Sequence, residues 1–227
     1  MSLNATTVYT NAGNPTVLKL LDGSDRRILD VGCGAGDTGH LIRQTLGAEV
    51  TGFTCSAAEQ AIAQTKLDRC AVGDLEGEVW PELAPPYDAI CCLHVLEHLV
   101  NPVAVLRRLL PLLAPQGKLV IAVPNLAFWR ERAKLLRGRF DYTDGGTLDR
   151  THLRFYTFFS AQRELCDPIP ELVLEQHFAV GSVPLGFFRH HWLSNSLKQT
   201  LDRWGERARP NLFGGEIWLV ARKQDHA

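Results

Sequence analysis

Arg27-Ile-Leu-Asp-Val-Gly-Cys-Gly-Ala-Gly-Asp37 is the stretch on which the rest of the chain is read. Ile28, Leu29 and Val31 form a short apolar run of the kind that becomes a buried parallel strand. Asp30 interrupts that run just before it ends. Gly32, Gly34 and Gly36 then alternate, and Thr38 to Leu46 is compatible with a helix. Strand, glycine turn and helix together open a nucleotide-binding α/β unit. Glycines in such a turn let the backbone approach a bulky ligand at positive φ or without a Cβ clash. The Asp30 carboxylate is expected at the strand's exit, close to that ligand. A turn with no ligand is the plainer alternative, but three spaced glycines are entropically costly without a use.

Two frames fit this turn. Gly34-Ala-Gly36-Asp-Thr-Gly39 matches the dinucleotide pattern G-x-G-x-x-G, with its first glycine several residues past the strand's end. A dinucleotide places its pyrophosphate at the helix N-terminus, where Asp37 is expected to repel it. The other frame, Asp30-x-Gly32-x-Gly34-x-Gly36, resembles motif I of class I S-adenosylmethionine (SAM) methyltransferases. That site holds a zwitterionic amino-acid tail and no phosphate, so acids are tolerated. The resemblance implies that Asp30, Gly32, Cys33, Gly34 and Gly36 lie against SAM, with Asp30 at its amino-acid end.

The whole chain sets bounds on these readings. Its 227 residues suffice for one α/β domain with a full core. A net charge of −1 gives no global electrostatic case for nucleic acid or an anionic membrane, so no nucleic-acid partner is expected. The six cysteines make no C-x-x-C pair, which argues against a structural zinc site. Several lie in apolar runs, as buried reduced thiols of a cytoplasmic protein do. No signal peptide is expected, and no apolar run approaches the roughly 20 residues of a membrane span. Oligomeric state is not legible.

Taken in order, Asn14-Pro15 is expected to start a helix through Leu21, within an N-terminal segment of residues 1–25 that either lids a ligand site or packs. Ala48 to Phe53 reads as the second strand. The acid expected at its end, to bind ribose hydroxyls, is missing, and Thr54 stands there instead. The string Thr51-Gly-Phe-Thr-Cys-Ser56-Ala-Ala-Glu59-Gln60 looks like a variant of cyclopropane-fatty-acid-type methyltransferases, which makes Glu59 and Gln60 equal candidates for the ribose contact. Ser56-Ala-Ala-Glu59 is also a capping box, so a helix is expected from Ala57 to about Thr65. Cys70-Ala-Val72 is a short third strand, and the resemblance assigns Asp74, just beyond it, to the adenine amino group. Leu75 and Leu93 go with Asp74 as cofactor neighbours.

Tyr87 to Leu93 is the fourth strand and runs into His94-Val-Leu-Glu97-His98, then Asn101-Pro102. This resembles the strand-four motif of small-molecule O-methyltransferases, notably those of ubiquinone biosynthesis. Val103 to Leu113 repeats apolar residues at helical spacing, and Lys118 to Asn125 is the fifth strand. Residues 126–156 hold an expected basic, aromatic helix from Phe128 to Arg139, then Leu148-Asp-Arg-Thr-His152-Leu-Arg154-Phe-Tyr156. This insert resembles the segment after strand five in methionine-biosynthesis W-type enzymes and in methyltransferases found beside glycosyltransferases. It is expected to cap the site, its arginines either solvated or reading an acidic substrate group. A helix at Thr157–Cys166, a strand at Leu172–Val180, a helix within Phe187–Arg207 and a last strand at Leu212–Arg222 complete the chain. The resemblance implies a Rossmann-like α/β fold. Its seven-stranded, mostly parallel sheet has order 3-2-1-4-5-7-6, helices on both faces and a small cap, all in one domain of residues 1–227.

Methyl transfer needs alignment above all, because the sulfonium is already activated. A hydroxyl acceptor needs a base or a metal as well. His94, Glu97 and His98 are spaced for one helical face, and His152 lies in the cap. With His152 they form a candidate divalent-metal set. It resembles the Glu-x-x-Glu-His motif of ubiquinone O-methyltransferases and small-RNA terminal methyltransferases, with His94 in place of the first Glu. The competing expectation makes His94 or His152 the general base. The sequence therefore points to a SAM-dependent methyltransferase acting on a small molecule, at oxygen. A degenerate methyltransferase fold serving as a binding module is the first alternative, and a nicotinamide-dependent oxidoreductase the second.

Overall fold

The apolar runs become the strands of one sheet. The protein's structure is a computed structural model that describes residue 8, residues 12–184 and residues 194–224. The strands are β1 (Arg27–Val31), β2 (Glu49–Thr54), β3 (Arg69–Val72), β4 (Tyr87–Leu93), β5 (Leu113–Pro124), β6 (Leu172–Gly181) and β7 (Gly214–Lys223). Their order is β3-β2-β1-β4-β5-β7-β6, as the resemblance implied. β1 through β5 pair in parallel, while β7 is antiparallel to both β5 and β6.

Helices cover the sheet because successive strand residues are apolar on both faces. Leu29, Val31, Ile90, Cys92 and Ile121 join one core, and Ile28, Val50, Ala89, Cys91 and Val120 join the other. The described helices are α1 (Asp37–Leu46), α2 (Ala57–Ala63), α3 (Pro102–Leu109), α4 (Trp129–Leu135), α5 (Phe158–Leu165), α6 (Asn195–Ala208) and α7 (Pro210–Phe213). Sequence explains several of their ends. Ser56 caps α2 by accepting from the Glu59 amide, and Asn101 caps α3 ahead of Pro102.

Three expectations change. The helix expected from Asn14 to Leu21 is only a 3-10 turn, Val17–Lys19. So short a run, with β-branched Thr16 and Val17, does not offset the cost of helix nucleation. The basic stretch Phe128–Arg139 is helical only over Trp129–Leu135. His94, Glu97 and His98 share no helical face: His94 has φ +55°, and only Leu96–His98 forms a 3-10 turn. Of the helix expected within Phe187–Arg207, residues 187–193 lie outside the described residues; α6 holds the rest.

Strand order reverses between β1 and β4, and the carboxyl ends of the parallel strands there form the crevice in which α/β sheets bind ligands. The glycine turn, Asp74 and His94 follow such ends, and Thr54 is the last residue of β2. The N-terminal segment lies across the same rim. The Asn14 amide donates to Thr38 Oγ1 of α1 at 3.2 Å, and its side chain reaches Glu216 Oε2 of β7 at 3.4 Å.

Candidate active site

The glycine turn hangs from β2, where the Gly32 and Cys33 amides both donate to Phe53 O at 2.8 and 3.0 Å. Gly32 is required twice. Its φ is +73°, and a Cβ there would come within 2.7 Å of Val95 Cγ2. Gly36, φ +79°, is the N-cap of α1, and a Cβ would press on Ala63 at 3.2 Å. These left-handed glycines fall in the Gly32–Gly36 frame. Gly39 instead sits inside α1 against Leu67 and Val50. Lys66 Nζ pairs with Asp37 Oδ1 at 2.5 Å, so Asp37 is largely neutralised and its repulsion of phosphate is weaker than the sequence suggested.

Asp30 does not project into the crevice. It lies beneath the turn, 3% exposed, with Oδ2 lacking any hydrogen bond. Burial raises its pKa to about 7, although the nearby Gly39 amide pulls the other way. Glu59 sits where β2 lacks its own acid. It is buried, and Thr54 Oγ1 donates to its Oε2 at 2.5 Å, so the carboxylate is held at the end of β2. Gln60, the equal candidate, spends its amide on Cys70 O of β3 at 2.8 Å. Asp74 is exposed just past β3, where its Oδ1 accepts from the Glu76 amide at 2.9 Å. Leu75 is buried beside it, and Leu93 is half-buried at the end of β4.

Next to Gly32, across Val95, is a cluster of acids and imidazoles. Glu97, His98 and His152 each present one ligand atom, all within 4.8 Å of one another. The 126–156 segment is docked there by its backbone, because the Leu153 and Arg154 amides both donate to Glu97 O, at 2.8 and 3.0 Å. The Glu97 carboxylate is 1% exposed, and neither oxygen has a hydrogen bond. Thr151 donates its hydroxyl proton to Asp149 Oδ1 at 2.6 Å and meets His98 Nδ1 at 3.0 Å. That network assigns the His98 proton to Nδ1 and leaves Nε2 bare. His152 Nδ1 lies 3.1 Å from Thr147 O, which likewise leaves its Nε2 bare, 3.9 Å from Glu97 Oε1. Burial first of all lowers the His98 pKa and favours its neutral form. Bare imidazole nitrogens held by their opposite nitrogens beside a buried carboxylate are a donor set suited to a divalent metal.

His94 stands outside that set, which corrects the expected four-residue group. Its Nδ1 lies 3.5 Å from Glu97 Oε1 and its Nε2 3.3 Å from Glu216 Oε1. Burial opposes its charge, but the two facing carboxylates outweigh burial and raise its pKa to about 10. An imidazole held protonated with both nitrogens engaged cannot accept a proton, so the base role expected of His94 is not supported. Glu216 escaped the sequence reading. It is the single acid in the run Gly214–Ala221, a signal that could have flagged it. Trp218 Nε1 also donates to Glu216 Oε2 at 3.2 Å.

The arginines in and just after the helix that follows β5 favour the plainer alternative. Arg130 lies over the Phe128 and Trp129 rings, Arg132 Nε donates to Ala127 O at 2.6 Å, and Arg137 donates to Ala133 O.

Residues 10–165 match the family described as "Methyltransferase domain". The chain belongs to that family. It is a member of the class I SAM-dependent methyltransferases by family and by sheet order. An uncharacterized protein of Synechococcus sp. is 36% identical over 139 residues, 55% of this chain and 33% of that protein. A ubiquinone biosynthesis O-methyltransferase of Marinobacter nauticus is 32% identical over 127 residues, 49% of this chain and 51% of that enzyme. The chain thus spans about a third and about half of the length of these two relatives. In fold, the methyltransferase resembles a SAM-dependent methyltransferase from Archaeoglobus fulgidus, with TM-score 0.58 and 18% identity over 92% of this chain and 91% of that one. SAM is the family's cofactor. The left-handed glycine cradle fits such a ligand. Among the described residues, no helix is long and apolar enough to cross a membrane.

Proposed function

We propose that the chain transfers the methyl group of SAM to a hydroxyl oxygen of a small-molecule acceptor. The observation that carries this reading is the Glu97–His98–His152 cluster, placed one residue contact from the glycine cradle. Residues 1–227 are read as one domain, with 126–156 as its substrate cap. Gly32, Cys33, Gly34 and Gly36 would admit the cofactor, Asp30 would brace the turn from below, and Glu59 would take the ribose hydroxyls. Asp74, Leu75 and Leu93 would border the adenosine. Gln60 and Thr54 then serve as supports, since their polar groups are committed to Cys70 O and Glu59.

Glu97, His98 and His152 would hold a divalent metal. A bound metal supplies Lewis acidity that lowers the pKa of a hydroxyl. The chain's own part is to keep two imidazole nitrogens bare, keep one carboxylate dry and hold acceptor and donor in line. The His94 cation between Glu97 and Glu216 fixes both carboxylates in place. Docking of the cap on Glu97 O excludes water from the cluster.

A second reading follows from His152, whose bare Nε2 could take the acceptor's proton directly. Chelator treatment and two substitutions separate the readings. With a metal, EDTA and His98→Ala both lower methyl transfer by at least about 100-fold. Full activity in both cases, together with loss in His152→Ala, leaves only the base mechanism. A thermal shift with SAM and none with NAD supports the enzyme reading. A shift with neither would favour a non-catalytic binding module, and a shift with NAD alone an oxidoreductase.

A further inference from the structure

We propose that Cys33 and Cys70 form an oxidisable thiol pair that reacts with a peroxide and, once joined, weakens cofactor binding at the glycine turn. Their Sγ atoms lie 3.8 Å apart, although 37 residues separate them in sequence. Cys33 stands in the turn between Gly32 and Gly34, and Cys70 on β3. The two meet above β2 because residue 52 is glycine. A Cβ on Gly52 would come within 2.7 Å of Cys33 Sγ and 3.3 Å of Cys70 Sγ. Closing the pair to a disulfide, about 2.05 Å, takes side-chain rotation and a small approach of the turn toward β3.

Access and reactivity point the same way. Cys70 borders a cavity of about 290 Å³ at the β3 edge, lined also by Gln60, Arg69, Pro81 and Leu83. A small oxidant enters there. The Cys33 thiol beside Cys70 lowers the latter's pKa by hydrogen bonding, so Cys70 is the better thiolate. Its sulfur attacks a peroxide oxygen, breaking the O–O bond to give a sulfenic acid and hydroxide. Cys33 sulfur then attacks Cys70 sulfur. The S–S bond forms, the S–O bond breaks, and the displaced oxygen leaves as water with the Cys33 proton. Two electrons pass from the thiols to hydrogen peroxide; the hydroxide takes up the proton that Cys70 lost on ionising, so two waters result. Cys70 is buried, as are Cys91, Cys92 and Cys166, while Cys55 is exposed; the pair is marked by its 3.8 Å sulfur contact and by the cavity beside Cys70.

The consequence for binding comes from how the turn is held. The Cys33 amide donates to Phe53 O, and Cys33 O accepts from the Gly36 amide at 2.9 Å. A tether to β3 therefore pulls on the peptide groups that shape the cradle. This consequence rests on the cofactor reading above; the bond itself does not.

The test uses the full chain treated with hydrogen peroxide, peptide mapping after thiol alkylation, and calorimetric titration with S-adenosylhomocysteine (SAH). The expected result is a Cys33–Cys70 link, an SAH Kd raised about tenfold, and full recovery in dithiothreitol. Cys70→Ser is expected to bind SAH like the reduced protein and to ignore peroxide. Oxidation confined to Cys55, or a link that leaves Kd unchanged, would overturn the proposal. If the reduced protein binds no SAH, the cofactor reading and the regulatory consequence both fail, and the mapping alone decides the thiol chemistry.

Discussion

Buried charge at the two ends of the sheet is handled in opposite ways. At the end where β5 enters, Lys118 Nζ donates to Asp25 Oδ2 at 2.7 Å and to Asp22 Oδ2 at 2.8 Å. Nearby, Asp88 Oδ2 accepts the Arg26 and Arg27 amides at 2.8 and 2.9 Å. The Lys118 hydrogen bond leads in holding Asp22 well below the usual carboxylate range. At the opposite rim, Asp30 Oδ2 and both Glu97 oxygens are buried without a hydrogen bond. Asp30 Oδ2 so placed costs about 1–3 kcal/mol, and Glu97 has the His94 ring at 3.5 Å as its ion-pair partner. A fold that satisfies its charges at one end and leaves carboxylate oxygens without hydrogen bonds at the other is spending stability where a ligand binds.

The contrast can be broken by substitution. Gly32→Val has the largest effect, because it sets a branched side chain at φ +73° against Val95. SAH binding should vanish from calorimetry; retained binding would remove the turn from the site. Lys118→Met comes next. It strands the buried Asp25 carboxylate and should cost about 3 kcal/mol in denaturant unfolding, with SAH affinity unchanged. Glu97→Gln should lower methyl transfer by at least about 100-fold while costing less unfolding free energy than Lys118→Met, because His94 keeps Glu216 as a partner. If Glu97→Gln destabilised the fold as Lys118→Met does, both ends would be structural.

Asp30 gives the effect most sharply confined in pH. Its folded pKa of about 7 lies above its unfolded value of 3.8. Between those values the folded chain keeps a proton that the unfolded chain has lost. Stability therefore falls as pH rises through that window and levels off above it. Asp30→Asn should remove that slope, so its Tm gains on the wild type as pH increases. Parallel Tm profiles would show that Asp30 has a partner.

Much of this was legible in the chain. Ile28-Leu-Asp-Val31 reads as a strand because both faces need apolar residues, and Tyr87–Leu93 follows the same logic. The insertion of β7 between β5 and β6 came only from resemblance, since periodicity carries no pairing information. That insertion brings Glu216 to His94, 122 positions away, and with it the cation that the sequence offered as a base. The His94–Glu97–His98 spacing suggested a helical face. The left-handed turn at His94, with Pro102 starting α3 only later, breaks that spacing. The Glu59–Gln60 ambiguity was also beyond sequence. It depends on which side chain folds back on Thr54, and that is decided by the packing of α2 against β2 and β3.

The most direct test of the account is calorimetric titration of the reduced full chain with SAH and, separately, with NAD. One saturable SAH site, silence with NAD, and loss of the SAH signal in Gly32→Val are the expected result. A folded chain that binds NAD, or that gives no heat with SAH, would contradict it.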